Sequence, residues 1–310
     1  MNITSLIALQ RFRGIGYKRV LKVAHEVPSD FNGFKEYVGF KFSRDEAETR
    51  HAWDQALQII EQCENLRIRP VAVTDQTSYP KRLYSMDSKK PNPPVLYVKG
   101  SIDALHFDSL VISIIGTRHP TENGIRVAYD FGRFAAHNHI PVVSGLAYGC
   151  DANGHIGCLE HGGIAVAVMA HGLDMVYPPE HLSLADQIVE QNGCLVSEYP
   201  PGVPITRWSF VDRDRLQSGL SDSVIVIQTG KKGGTHHTAK FAKNQGRRIF
   251  CVQPTIDESR HPAVAGTYDI IQYQDAKWIS MPEQLFSMIG NQTEYGNQTD
   301  SRQEQLQLGF

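Results

Sequence analysis

Between Leu110 and Val252 the chain returns repeatedly to a short apolar run that ends in glycine or a polar residue, and this repetition sharply limits the folds open to it. The runs are Leu110 to Ile115, Ile140 to Val143, Ala165 to Met169, Cys194 to Val196, Val224 to Ile227 and Ile249 to Val252. They lack the polar alternation of a strand with one wet face, so they read as strands buried on both faces of a parallel sheet. The segments between them have helical periodicity. Ile125, Ala128, Phe131, Phe134 and Ala135 recur at spacings of three and four, an amphipathic stripe that starts after Pro120 and Thr121. Strand, helix, strand in repetition predicts a doubly wound α/β domain.

In such a sheet the turns after the strands share the carboxyl edge, where ligands gather. Here those turns are Gly116-Thr117-Arg118, Ser144-Gly145-Leu146, His171-Gly172 and Gly230-Lys231-Lys232-Gly233-Gly234-Thr235. Glycine lets backbone approach a ligand, and helix N-termini offer free N–H groups to anions. A ligand carrying phosphate is expected. From Lys231 to Arg248 the chain also holds Lys231, Lys232, Lys240, Lys243, Arg247 and Arg248 with no acidic residue between them. A basic run beginning in a glycine loop at this edge suits a polyanion. Arg118, Arg213 and Arg215 can extend it, although Asp212 and Asp214 are interleaved with the last two.

Ordered motifs then give a resemblance. Ile114-Ile115-Gly116-Thr117-Arg118 is followed by Val143 to Ala152 with His155, by Gly172-Leu173-Asp174 and by Tyr177-Pro178-Pro179-Glu180. Ser197-Glu198-Tyr199-Pro200-Pro201-Gly202, Arg213 to Ser221 and Gly234-Thr235-His236-His237-Thr238-Ala239 continue the series. Tyr79 to Leu83 and Pro94 to Gly100 precede it. Over roughly residues 1 to 289 the chain resembles the DNA-processing protein family called DprA or Smf.

The resemblance implies an extended Rossmann-type domain that binds single-stranded DNA without sequence preference, forms a homodimer and helps load RecA recombinase, with no catalysis and no cofactor. Carried over, Arg118 matches the arginine of the family's first glycine turn, and Arg213 and Arg215 match its Arg-Asn-Arg segment. Gly234, Thr235 and Thr238 match its Gly-Ser-x-x-Thr-Ala turn. Gly116, Thr117, Ser144, Gly145, Lys231, Lys232, Lys240 and Lys243 complete the expected phosphate-binding set, with Tyr148, Tyr177 and Phe210 as candidate stacking platforms. Asp214 stands where the family has Asn, and His236 and His237 replace aliphatic residues.

The remaining sequence sets the boundaries. With 310 residues, 41% of them hydrophobic, there is chain for one large core and a small domain. Residues 1 to 65 read as a helical domain (a hairpin, SAM-like) around Arg13-Gly14-Ile15-Gly16, with a helix over Arg44 to Glu64 capped by Ser43. Residues 66 to 289 form the Rossmann-type domain, with early strands at Val71 to Val73 and Val95 to Val98. His261 to Tyr268 reads as a short helix and Pro282 to Ile289 as a final one. The polar tail, 290 to 310, reads as disordered, and the winged-helix domain that many family members carry at this end is not expected. Within it Gln305, Leu308 and Phe310 resemble a peptide that docks on the bacterial sliding clamp.

A net charge of -2 confines any nucleic-acid site to a local patch. Five cysteines, an odd number, suit a reducing cytoplasm. Cys150, His155 and Cys158 lack zinc-site spacing, so no metal is expected, and no run is long enough to span a membrane. The alternative function is a nucleotide-derivative binder or hydrolase of the related phosphoribohydrolase-like superfamily, whose glycine signature Gly233-Gly234-Thr235 resembles. That reading lacks the glutamate such enzymes keep after the signature, since His237 and Thr238 stand there. Asp151, Glu198 and His155 are of a type that can do acid–base work, but each also reads as a cap or a buried hydrogen-bond partner, the favoured role. The strict G-x-G-x-x-G of dehydrogenases and the kinase P-loop are both missing.

Overall fold

The computed structural model describes residues 2–86 and 89–289. Four helices come first: α1 (Ile3–Leu9), α2 (Tyr17–Val23), α3 (Phe31–Phe42) and α4 (Glu46–Asn65). Leu6, Leu9, Phe12 and Val20 are buried among them, and Phe34 lies against Trp53 with ring centroids 5.1 Å apart. The cap expected at Ser43 is instead Asp45, which accepts from the Glu48 N–H at 2.8 Å. Ser43 closes α3 in a left-handed conformation (φ 53°), so it ends one helix rather than starting the next.

The strands are β1 (Ile68–Ala72), β2 (Val95–Gly100), β3 (Ile112–Ile115), β4 (Val142–Ser144), β5 (Ala165–Val168), β6 (Cys194–Ser197), β7 (Ser223–Val226), β8 (Arg248–Val252) and β9 (Lys277–Ile279). The helices between them are α5 (Glu122–His137), α6 (Cys150–Leu159), α7 (Leu182–Glu190), α8 (Arg207–Gly219), α9 (Thr235–Asn244) and α10 (Ala265–Tyr273), with α11 (Gln284–Ile289) last. The described strands make one mixed, mostly parallel sheet in the order β1-β2-β6-β5-β4-β3-β7-β8-β9. Only β2 runs against its neighbours. Strands β3 to β8 are buried at nearly every position, as the unbroken apolar runs require.

The differences from the sequence expectation have local causes. The run at Leu110 begins its ladder only at Ile112, because the Val111 N–H donates to the Asp222 carboxylate at 2.8 Å. Ile140 closes α5 by donating to the Ala135 carbonyl, so β4 starts after Pro141. In α5, Ala128, Phe131 and Ala135 are buried, whereas Ile125 is 42% exposed and outside the core stripe. The helix near residue 265 runs on to Tyr273, and β9 was not foreseen, having only three residues at the sheet margin. No helix among the described residues is long and apolar enough to cross a membrane.

Candidate functional site

The order of strands sets a switch point at β3. The chain steps outward from β3 through β4 and β5 to β6, then returns to the other side of β3 for β7, β8 and β9. Ligands of open α/β sheets usually enter between the loops that follow two such strands. Here those loops are tied together. The Thr117 N–H donates to the Gln228 carbonyl at 2.7 Å, and the Gln228 amide both accepts from the Thr121 N–H (3.0 Å) and donates to the Thr121 hydroxyl (2.9 Å).

Into the same place comes Glu258, from the loop between β8 and α10. Its carboxylate accepts from the Thr121 hydroxyl, Asn123 Nδ2 (2.7 Å), Thr255 Oγ1 (3.1 Å) and Gln228 Nε2 (3.2 Å). Burial alone would raise its pKa, but these donors hold it below the ordinary glutamate value. The chain's own carboxylate thus sits beside the first turn of α5, where the helix dipole favours an anion.

The open surface lies one strand further over, beyond β3, β4 and β5. A shallow pocket there is lined by Arg118, Gly145, Tyr148, Tyr177, Phe210 and Arg213, with Ala147 and Pro178 between them. Arg118 is exposed, and its guanidinium carbon stands 5.3 Å from the centre of the Phe210 ring. Phe210 in turn is 5.9 Å from Tyr177, while Tyr148 packs edge-on to His181 at 4.9 Å. One accessible cation among aromatic faces can bind a phosphate and stack a base.

Beneath this rim two arginines and three carboxylates are buried. Arg215, 3% exposed, makes a two-pronged pair with Glu198 at 2.6 and 2.7 Å and also donates to the Asp212 carbonyl. Burial alone would lower the Arg215 pKa, but the Glu198 carboxylate holds it above the usual arginine value. Tyr17, reaching in from α2, has its hydroxyl pKa pushed up by burial and by Glu198. Arg213, 6% exposed, donates to the carbonyls of Gly145 (2.7 Å) and Val168 (2.8 Å) and to Asp214 (3.2 Å). Only glycine fits at 145, since a Cβ there would stand 1.9 Å from an Arg213 nitrogen. The Gly145 N–H donates to Asp151 at 3.1 Å. Burial raises Asp151, with Arg213 opposing the shift.

The remaining expected site residues divide by position. Gly116 and Thr117 lie half-buried in the first turn, and the Ser144 hydroxyl is committed to the Ile114 carbonyl. Gly234 is the N-cap of α9, with Thr235 and Thr238 buried in its first turn and Lys231 and Lys232 exposed in the loop before it. His236 Nε2 is 3.0 Å from the Gly230 carbonyl oxygen. Lys240 is exposed along α9. Lys243 lies at the far end of that helix and donates to the Tyr273 carbonyl at 2.9 Å. Arg247 reaches the carbonyls of Arg82 and Gly219, and Arg248 that of Ile289. The basic run therefore spans the sheet from edge to edge instead of forming one patch. Gln305, Leu308 and Phe310 lie outside the described residues.

Of the buried groups, Glu198 and Asp151 are hydrogen-bond partners, as their sequence reading held. His155 differs: it is fully buried, neither ring nitrogen has a partner among the described residues, and burial holds its pKa down at about 3. The five cysteines are free and buried. Among the described residues no group of His, Cys, Asp or Glu side chains is arranged to hold a metal. Sequence reasoning missed Gln228 and Glu258 altogether. Neither stands in a glycine turn or a charge run, and both act through partners distant in the chain.

A family model described as DNA recombination-mediator protein A matches residues 70–290. Protein Smf of Synechocystis is 34% identical over 220 residues, covering 70% of this chain and 53% of that protein. DNA processing protein DprA of Bacillus subtilis is 37% identical over 197 residues, 64% of each chain. The chain thus spans about half to two thirds of these relatives' own length. Among solved structures, DNA processing protein A of Streptococcus pneumoniae superposes with a TM-score of 0.74 at 25% identity, over 92% of this chain and 98% of that one. The Helicobacter pylori protein, whose structure concerns its single-stranded DNA binding mode, gives 0.61 at 26% identity over 72% and 95%.

Proposed function

The chain belongs to the DNA recombination-mediator protein A family, and from that membership we propose that its sheet edge binds single-stranded DNA without sequence preference. The observation that carries this reading is Arg118, exposed and set over Phe210 beside Tyr177, with the Tyr148 ring across the pocket. A guanidinium takes the phosphate while the rings take bases, and neither contact reads sequence. Lys231, Lys232 and the start of α9 extend the track along the same edge, with Lys240 behind them. Duplex is disfavoured because its bases are already stacked.

The same reading makes the protein a non-enzymatic mediator: a cytoplasmic homodimer that hands the bound strand to a RecA-type recombinase. We assign residues 1–65 to a helical domain beside the strand-binding domain 66–289, and residues 305–310 to clamp docking. A nucleotide-hydrolase reading has less support, since Gln228 and Glu258 occupy the switch point at which a mononucleotide phosphate would enter.

The test is fluorescence anisotropy of a labelled oligo-dT at two salt concentrations, with duplex of equal length as competitor. Salt-sensitive binding that prefers the single strand is expected. Binding of free nucleotides with no affinity for the strand would reverse the assignment.

A further inference from the structure

Asp214 sits where three elements meet under the proposed strand-binding edge. It is 7% exposed. Oδ1 accepts from Arg213 Nε at 3.2 Å and, with the Gln217 amide turned to satisfy its neighbours, from Gln217 at 3.2 Å. Oδ2 faces the N-cap of α9, only 3.8 Å from where a Cβ on Gly234 would be. The charged groups acting on it are Arg213 on its own helix, Asp151 from α6 and Arg118 from the turn after β3.

With Arg215 committed to Glu198, two buried carboxylates, Asp151 and Asp214, share the guanidinium of Arg213, which divides its other donors between two carbonyls. With both acids ionised, the floor of the pocket carries one excess negative charge, directly under the place where Arg118 and the α9 N-terminus would draw a phosphate. Like charges in a dehydrated site cost several-fold more than in water. A proton on one carboxyl removes the conflict. Burial pushes Asp214 up to about 7, against the pull of Arg213, so that proton is available near neutrality.

We propose that Asp214 links strand binding at this edge to proton uptake, so that the polyanion is held tightly when Asp214 is protonated and weakly when it is ionised. The proposal rests on the reading of the edge as a single-stranded DNA site. The sign follows from linkage: a phosphate beside Asp214 raises its pKa further, so binding takes up a proton and affinity falls as pH rises. One linked proton limits the slope to about tenfold per pH unit.

The experiment is oligo-dT anisotropy at constant ionic strength from pH 5.5 to 8.5, on the full chain and on D214N, which keeps the shape but cannot ionise. The unaltered protein should lose roughly tenfold in affinity between pH 6.5 and 8. D214N should be nearly flat over that range and bind more tightly at pH 8. Any slope from groups other than Asp214 is common to both proteins, so the difference between the two profiles isolates the Asp214 link. Parallel slopes would overturn the proton link and leave the DNA reading intact. No salt-sensitive binding by either folded protein at any pH would overturn the DNA reading and the link with it. Should D214N fail to fold, D214S replaces it. Calorimetry of the unaltered protein at pH 8, in two buffers of different ionisation enthalpy, also decides: proton uptake on binding is expected, and its absence refutes the link.

Discussion

Arg118 at the rim of the sheet edge and Arg215 in its floor carry the same guanidinium into opposite surroundings. Arg215 is enclosed, fixed by two short bonds to Glu198. Arg118 is open to solvent with an aromatic face beside it. The Arg215–Glu198 pair in the floor is charge-matched and holds the fold, while the rim keeps a cation available to a ligand. Substitution should therefore split stability from binding cleanly between the two.

The largest effect is expected in the floor. R215A would leave Glu198 as a buried, unpaired carboxylate beside Tyr17, a change that typically costs about 3–5 kcal/mol. A drop of that size in chemical denaturation is expected. The double variant R215M/E198L should recover most of it, because an apolar pair of similar volume removes the orphaned charge. If R215A instead left stability intact and abolished DNA binding, the division into rim and floor would be wrong.

Next comes the rim. R118A should weaken oligo-dT binding about tenfold at low salt and reduce the slope of log affinity against log salt by about one, the signature of one lost phosphate contact. Its thermal midpoint should stay within about a degree, since no structural bond is removed. A large loss of stability would show that Arg118 is a structural residue and that the cation–aromatic contact holds the turn.

Smaller still is the effect of removing the anion at the switch point. E258Q keeps the shape of the Thr121, Asn123, Thr255 and Gln228 network but removes its charge, and should cost about 1 kcal/mol. Because the folded-state pKa of Glu258 lies below its unfolded value, the stabilisation is complete above pH 4.5 and is lost as pH falls through the folded value. E258Q should therefore flatten the acid limb of the stability profile and leave DNA binding near neutrality unchanged. An unaltered acid limb would show that the carboxylate contributes nothing as an ion.

That network marks how far the sequence could be read. The buried parallel strands were visible because both faces of the sheet are covered, which turns each strand into an unbroken apolar run. The glycine turns were visible because close backbone approach excludes a Cβ, as at Gly145. Which arginines are free was not visible. Arg213 and Arg215 sit in a segment as polar as any exposed helix, and only the fold brings Glu198, Gly145 and Val168 around them. Glu258 was equally silent, since its partners at 121, 123 and 228 meet only through the sheet order.

The smallest expected effect tests the basic run itself. By sequence Lys231, Lys232, Lys240 and Lys243 look like one patch. In the structure the first two stand at the edge shared with Arg118, whereas Lys243 lies about two turns along α9 and is bonded to the Tyr273 carbonyl. At physiological salt a charge separated from the strand by more than about 8 Å is largely screened. K243A should therefore change oligo-dT affinity less than about twofold, while the double variant K231A/K232A should cost several-fold and lower the salt slope by up to about two. If K243A matched the double variant, the strand would have to run down α9, away from Phe210, and the aromatic rim would lose its assigned role.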